Sequence, residues 1–537
     1  MRSCGPFVGE PTGRVRPRTT ATAPWPLVKV RHPIYPVCGY PWRRLSDRTT
    51  MHFESEQWKY LVPRQKFPCV VLERGRPWDD YTYKTSFRAY YCPDANQEVE
   101  LGALKILQRD QKKTELPGAF TALDERYCSL GQTLEFYERI RELGLDVAGE
   151  ILKALRDSAF NPAIHAEFEQ EEGYQFSLLR ASSALWALKT AGALFGRPTA
   201  PIPAPSFTYT KQLDGFDVPH QLEIAFEERA EWFGRAIALV GRNGAGKTVL
   251  LGGLAHALSG LEKSEVPGLG SARPLVSQVI AISYSAFDTF KRPFSPELGV
   301  NYIYCGLRDA TNHVNMDWAM SAFDEAILLI QQQKRAPQWT QLMKASGILE
   351  EFSEPERITQ LPDLDTRVAW IRKQSSGHKL LLLILARVLA HIRPGSILLF
   401  DEPETHLHPQ LLSGMMRLLH KAIQEFRSYA IIATHSPIVL QEIPARNIRI
   451  LEREGGVPII SRYPAESFGE NLTEIVNTAF RVDERHKNYF RILRQLVDTQ
   501  GTREGVANLF NKKLSLNARM ALQALTAKPG ERDDEKP

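Results

Sequence analysis

The chain has 537 residues, with 67 Lys+Arg against 62 Asp+Glu, and is 43% hydrophobic and 24% charged. That composition is globular, suits roughly two to four domains, and excludes wholesale disorder, a collagen-like repeat and a disulfide scaffold. The net charge of +5 is unevenly placed: residues 1–50 alone sum to +7, leaving −2 for the other 487.

Those first 50 residues hold eight prolines and no helical or strand periodicity, which works against regular structure. They read as a basic nucleic-acid-binding arm or as sequence upstream of a true start, and Met51 at the head of the patterned sequence favours the second. No apolar run of signal-peptide length follows the N-terminal charges. The six cysteines form no C-x-x-C pair, so neither a zinc site nor a disulfide framework is expected, which suits a reducing cytoplasm. The longest apolar run, Leu380–Ala386, is far short of the roughly 20 residues that span a bilayer. No membrane partner is expected.

After Met51, strands are expected at Cys69–Leu72, Thr82–Tyr91 and Val99–Leu107, then helices at Thr133–Leu143, Val147–Ser158 and Phe176–Leu194. The proline-rich stretch 197–206 reads as a linker that closes an accessory α+β domain at 51–196. Beyond it come strands at Gln221–Phe226, Arg235–Val240 and Ile280–Tyr284, and a mostly helical stretch Val300–Ile371 that includes Met316–Gln333 and Trp339–Phe352. Strands Ser396–Phe400 and Tyr429–Ala433 follow, each leading into helix, then a short strand Asn447–Leu451. The alternation predicts an α/β fold over 207–465, a mainly parallel sheet covered on both faces with a helical insert at about 300–370. Residues 466–537 read as a helical extension with a polar tail.

Three motifs carry chemistry. Gly241-Arg-Asn-Gly-Ala-Gly-Lys-Thr248 matches G-x-x-x-x-G-K-[ST] in full. Gly241, Asn243, Gly244 and Gly246 shape a nest of backbone N–H groups around phosphate oxygens, Lys247 reaches the terminal phosphates, and Thr248 is the magnesium ligand. The buried apolar strand Ile397–Phe400 delivers Asp401 as the second metal-side group, and Glu402 is placed to polarise water. Gln374-Ser-Ser-Gly-His-Lys379 opens an apolar helix and by itself reads as an N-cap. Ile431-Ile-Ala-Thr-His435 is a strand that ends in a polar histidine.

In order and spacing these motifs resemble the head of an ATP-binding-cassette (ABC-type) ATPase, over about residues 203–460. The resemblance implies ATP and Mg²⁺ as cofactors, Glu402 as general base, and His435 as a γ-phosphate-sensing switch. It also implies that Ser376 and Gly377 contact the nucleotide of an opposing protomer in a head-to-tail homodimer or higher even oligomer. One departure stands out: the family places a magnesium-contacting glutamine at the end of the strand after the phosphate loop. Here that strand is expected to end in Ser285, with Gln278 before it.

Pro403-Glu-Thr-His-Leu-His-Pro409 resembles the DEPE-x-x-LHP loop of soluble cassette ATPases of defence and repair rather than transporter heads. His406 and His408 are assigned to this loop and not to a metal site. The 129 residues from Lys247 to Ser376 leave no room for long coiled-coil arms, and no Asp-x-Asp of a fused nuclease follows His435. Softer likenesses at Trp78–Thr85, Ser129–Gln132, Ser177–Arg180, Tyr284–Asp288, Tyr304–Arg308 and Phe468–Asn471 point to Septu-type anti-phage ATPases, which work with a separate HNH nuclease.

The expectation is therefore a cytoplasmic ATPase whose ATP-closed dimer controls a separate nuclease, with only indirect contact to nucleic acid. The alternatives are a DNA-repair or DNA-end-binding ATPase of the RecF/SMC-like group, with basic patches such as Arg74, Arg76, Lys84 and Arg88, and a transporter subunit. A nuclease hidden around Asp79, Asp80 and Lys84 is disfavoured.

Overall fold

The computed structural model describes residues 51–56, 66–75, 82–198, 201–227, 234–259, 268–269, 274–285, 290, 302–309, 311–347, 355–361, 363–480 and 488–526. The readings for residues 1–50 and for Asp79 and Asp80 lie outside them. After Met51, β-branched and aromatic residues pair into a six-stranded sheet in the order β5-β1-β2-β3-β4-β6. Its strands are β1 (His52–Glu56), β2 (Cys69–Arg74), β3 (Ser86–Asp94), β4 (Gln97–Gln108), β5 (Ala119–Phe120) and β6 (Tyr127–Gly131). All pairs are antiparallel except β1 with β2.

The helices α1 (Leu134–Glu142), α2 (Leu145–Ala154), α3 (Pro162–Phe168) and α4 (Ser182–Leu194) follow. Phe136, Tyr137, Ile140, Ile151, Leu152 and Phe168 from these helices join Phe53, Leu72, Leu104 and Ile106 of the sheet in one apolar core. Thr133 caps α1 by accepting from Phe136 N–H, and Asn161 caps α3 ahead of Pro162. The expected continuous helix Phe176–Leu194 is broken. A π-turn over Tyr174–Leu178 precedes α4, because Ser177 is drawn onto the sheet by Thr85 (Oγ···Oγ1 2.7 Å) and by Lys105 Nζ donating to its carbonyl (2.9 Å).

After the irregular residues 201–205, β7 (Ser206–Lys211) and β8 (His220–Ala225) form an antiparallel pair, and β8 alternates buried with exposed residues. The second large sheet then builds from β9 (Ala236–Gly241), followed by α5 (Lys247–Ser259), β10 (Gln278–Ser283) and β11 (Tyr302–Gly306). Helices α6 (Met316–Gln332), α7 (Ala336–Ser346), α8 (Leu364–Arg372) and α9 (Ser376–His391) lead to β12 (Ser396–Asp401). The remaining parts are α10 (Pro409–Glu425), β13 (Tyr429–Thr434), α11 (Pro437–Gln441), β14 (Ile448–Glu454) and β15 (Val457–Arg462).

The strand order is β11-β10-β12-β13-β9-β14-β15, parallel throughout except for β15. Every residue of β9, β10, β12 and β13 is buried, as strands covered on both faces require. One face packs on α6, α7, α9 and α10, the other on α5 and the β7–β8 pair. The α/β expectation holds, with local corrections. β11 is a strand inside the stretch read as mostly helical, and α7 stops at Ser346 because Gly347 takes the left-handed conformation that ends a helix.

The first sheet's helices meet the second sheet at the α9–β12 connection. Arg393 reaches Glu135 (3.2 Å) and Glu138 (3.0 Å) of α1, and a side chain on Gly395 would run into the Trp186 ring of α4. Helix α12 (Leu472–Phe480) returns to the head core through Ile475 and Ala479. The helices α13 (Asn488–Gln500), α14 (Arg503–Leu509) and α15 (Leu516–Thr526) share a small core of their own around Leu493, Val506 and Leu522. Among the described residues, no helix is long and apolar enough to cross a membrane.

Candidate active site

Parallel strands bring their carboxyl ends to one edge of a sheet, and there the three motifs converge. Register places Ser283 beside Asp401, Asp401 beside Ala433, Thr434 beside Val240, and Gly241 beside Leu451. Gly241 is required by close approach, since a Cβ there would meet the Leu451 carbonyl oxygen. Gly244 and Gly246 sit at φ +82° and +91°, which turns the loop, while Arg242, Asn243 and Gly244 are exposed at its tip.

Lys247, the first residue of α5, donates through Nζ to the carbonyls of Gly241 (2.9 Å) and Arg242 (3.3 Å). Burial pushes its pKa down to about 8, against the opposing pull of Glu402, Asp401 and Glu404. Thr248 Oγ1 donates to Asp401 Oδ1 at 3.0 Å, so the two candidate metal-side groups are neighbours across 153 residues of sequence. A hydroxyl beside a carboxylate suits Mg²⁺, which takes one or two protein oxygens and completes its shell with phosphate and water. The described residues hold no cluster of three or more His, Cys, Asp or Glu of the kind a dedicated metal cage needs. His406 is exposed, and His408 caps α10, its Nδ1 accepting from Gln410 N–H.

Glu402 leaves the strand with φ +49°, a conformation uncommon outside glycine and found at functional turns. Its N–H still donates to the Ala433 carbonyl (2.8 Å), and its side chain, one-third exposed, lies 3.9 Å from His435 Nε2. Burial lowers the pKa of His435, with Lys247 adding to the shift and Glu402 opposing it. The imidazole stacks on Phe480, the last residue of α12 (centroids 6.2 Å, 21° between planes). The Phe480 carbonyl in turn accepts from Arg242 of the phosphate loop (3.4 Å).

Ser375 rather than Ser376 caps α9, accepting from His378 N–H (3.3 Å), and Ser376 is the first helical residue. Gly377 is seated against the side chains of Leu411 and Leu407 and the His406 carbonyl. Gln278 is the first residue of β10, not a residue before it, and pairs with Ser396 at the far end of the strand from Ser283. The strand therefore ends at Ser283, which takes the place beside Asp401.

Two contributors escaped the sequence reading. Phe480 gave no signal, because its role depends on α12 folding back. Glu404 was visible as the second acid of the Asp-Glu-Pro-Glu run. Burial raises its pKa, and it accepts hydrogen bonds from Thr434 and from the His435 backbone.

A family profile described as AAA domain, putative AbiEii toxin, Type IV TA system matches residues 331–441. That span holds Ser376, Asp401, Glu402 and His435. Protein ea59 of Escherichia phage lambda is 28% identical over 518 residues, covering 88% of this chain and 97% of its own. Among solved structures, an archaeal ribosome recycling factor in complex with a ribosomal stalk protein is 18% identical with a TM-score of 0.27; the match covers 49% of this chain and 40% of that one. An ADP-bound cassette of an ABC transporter is 12% identical (TM-score 0.29; 52% of this chain, 94% of that one). An SMC head bound to a winged-helix domain is 14% identical (TM-score 0.27; 48% and 98%). Residues 331–441 are thus similar to an AAA domain, and in a mixed α/β fold they share one sheet with the phosphate loop at Gly241–Thr248.

Proposed function

We propose that the chain hydrolyses ATP and that ATP closes a head-to-tail dimer which controls a separate nuclease in anti-phage defence. The observation that carries the hydrolytic part is the convergence of Lys247, Thr248, Asp401, Glu402 and His435 at one sheet edge. The loop amides and Lys247 bind the phosphates. Thr248 and Asp401 would hold Mg²⁺, which would supply positive charge to offset that of the phosphates. Glu402 accepts a proton from the attacking water, and neutral His435 beside it orients that water toward the γ-phosphate.

Dimer closure would bring Ser376 and Gly377 of one protomer to the nucleotide of the other. The regulatory part of the reading is supported by the likeness of the Pro403–Pro409 loop to that of soluble cassette ATPases of defence and repair. Glu402→Gln is expected to keep ATP binding, lower kcat by about 10²–10⁴-fold, and accumulate an ATP-bound dimer in size-exclusion chromatography. Unchanged turnover would remove Glu402 from the role. The effector half is tested by co-purifying the full chain with a candidate HNH nuclease: its activity should follow ATP occupancy, and indifference to ATP would sink the control reading.

A further inference from the structure

We propose that Glu404 is a positioning residue that holds the switch histidine over the hydrolytic site; this rests on the ATPase reading above. The last register pair between β12 and β13 is Asp401 with Ala433, and one further bond, Glu402 N–H to the Ala433 carbonyl (2.8 Å), closes the ladder. Beyond it the two strand ends have no backbone bonds to keep them together, yet Glu402 and His435 both lie there. The Glu404 carboxylate bridges the gap. Oε1 accepts the His435 backbone N–H (2.5 Å) and Oε2 accepts the Thr434 hydroxyl (2.9 Å), which itself accepts from Ser436 N–H (2.9 Å). The Glu404 carbonyl accepts from Leu407 N–H (3.2 Å), fixing the turn that carries the carboxylate.

One acid thus ties the turn after Glu402 to the residue that bears the imidazole, and its two oxygens are both engaged within the protein. Glu402 is different: its side-chain donor is Thr405 Oγ1 at 3.4 Å, and among the described residues no backbone N–H donates to its carboxylate. Charge-assisted bonds to a half-buried carboxylate are the strong kind, and losing one leaves a backbone donor unsatisfied. The arrangement explains the second acid of Asp-Glu-Pro-Glu as the strut of the His435 position rather than as a second base.

The experiment is steady-state ATP hydrolysis by the full chain carrying Glu404→Gln, alone and combined with His435→Ala. Glu404→Gln should lower kcat by about 10–100-fold, as loss of an orienting partner does, while ATP affinity and KM stay within about twofold. In the His435→Ala background the same substitution should cost no more than about twofold, because residues acting through one another are not additive. Should Glu404→Gln fail to fold, Thr434→Val removes one donor and is expected to lower kcat with KM unchanged; a wild-type kcat in that variant would overturn the proposal. So would an equal loss from Glu404→Gln with and without His435, or a loss of ATP affinity matching the loss of kcat. An unsubstituted chain that binds ATP without hydrolysing it would instead overturn the ATPase reading, and the two failures are distinguished by that control.

Discussion

Glu402 and His435 are each held from across the sheet, Glu402 N–H by the Ala433 carbonyl and His435 N–H by the Glu404 carboxylate. Phosphate-loop glycines show how strict such holding is. Gly241→Ala would drive a methyl into the Leu451 carbonyl where β9 pairs with β14. The expected result is a loss of at least about 3 kcal/mol of stability together with nucleotide binding, checked by denaturant unfolding and ATP titration. A second residue-scale prediction concerns His420, buried on α10, whose pKa burial alone pushes down to about 3. A histidine depressed in the fold contributes full stability above its unfolded pKa near 6.5 and loses it as pH falls toward the folded value. About 2 kcal/mol should disappear between pH 6.5 and pH 5. Unfolding curves at the two pH values check this, and His420→Leu should flatten the difference.

At the scale of elements, α9 shows how a helix joins distant parts. Its Ser376 end follows the Ser375 cap, and its other end runs into the connection gripped by α1 and α4. That connection also receives Arg335 on the carbonyls of Leu389 and Ile392, and Ser428 on the carbonyl of Arg393. Motion of α9 on nucleotide binding would therefore be felt by the first sheet's helices. Trp186→Ala is expected to cost about 3–5 kcal/mol, since the ring is the main apolar contact on Gly395. Arg393→Glu should weaken the same contact by repulsion from Glu135 and Glu138. Limited proteolysis near residues 197–206 would report the loosening, and unchanged cleavage would argue against the contact.

Elements with a strong period were legible. Strands β9, β12 and β13 and helices α6 and α9 fall within a few residues of their expected bounds, because continuous apolar runs and 3.6-residue stripes carry their own signal. Strand β11 did not, since five residues of mixed aromatic and small type become a strand only by adding to the edge of β10. The π-turn before α4 likewise depends on Thr85 and Lys105, far away in sequence.

For the whole molecule, the small core of α13–α15 sets it apart from the head, whereas α12 belongs to the head core and supplies Phe480 to the site. A chain ending at residue 487 should keep its head folded and its kcat within about twofold, measured by thermal unfolding and ATPase assay. One ending before residue 472 should lose both, because Ile475 and Ala479 leave the core. The sequence by itself determined the phosphate loop, the Asp-Glu strand, the histidine strand and the α/β order, since each is local in residues and spacing. Only the tertiary structure decided which acid braces His435, that Phe480 covers it, that Ser283 lies beside Asp401, and that α1 and α4 grip the end of α9. Those relations join residues tens to hundreds of positions apart, and a hydrogen bond or ring contact of that kind leaves no periodicity in the chain that makes it.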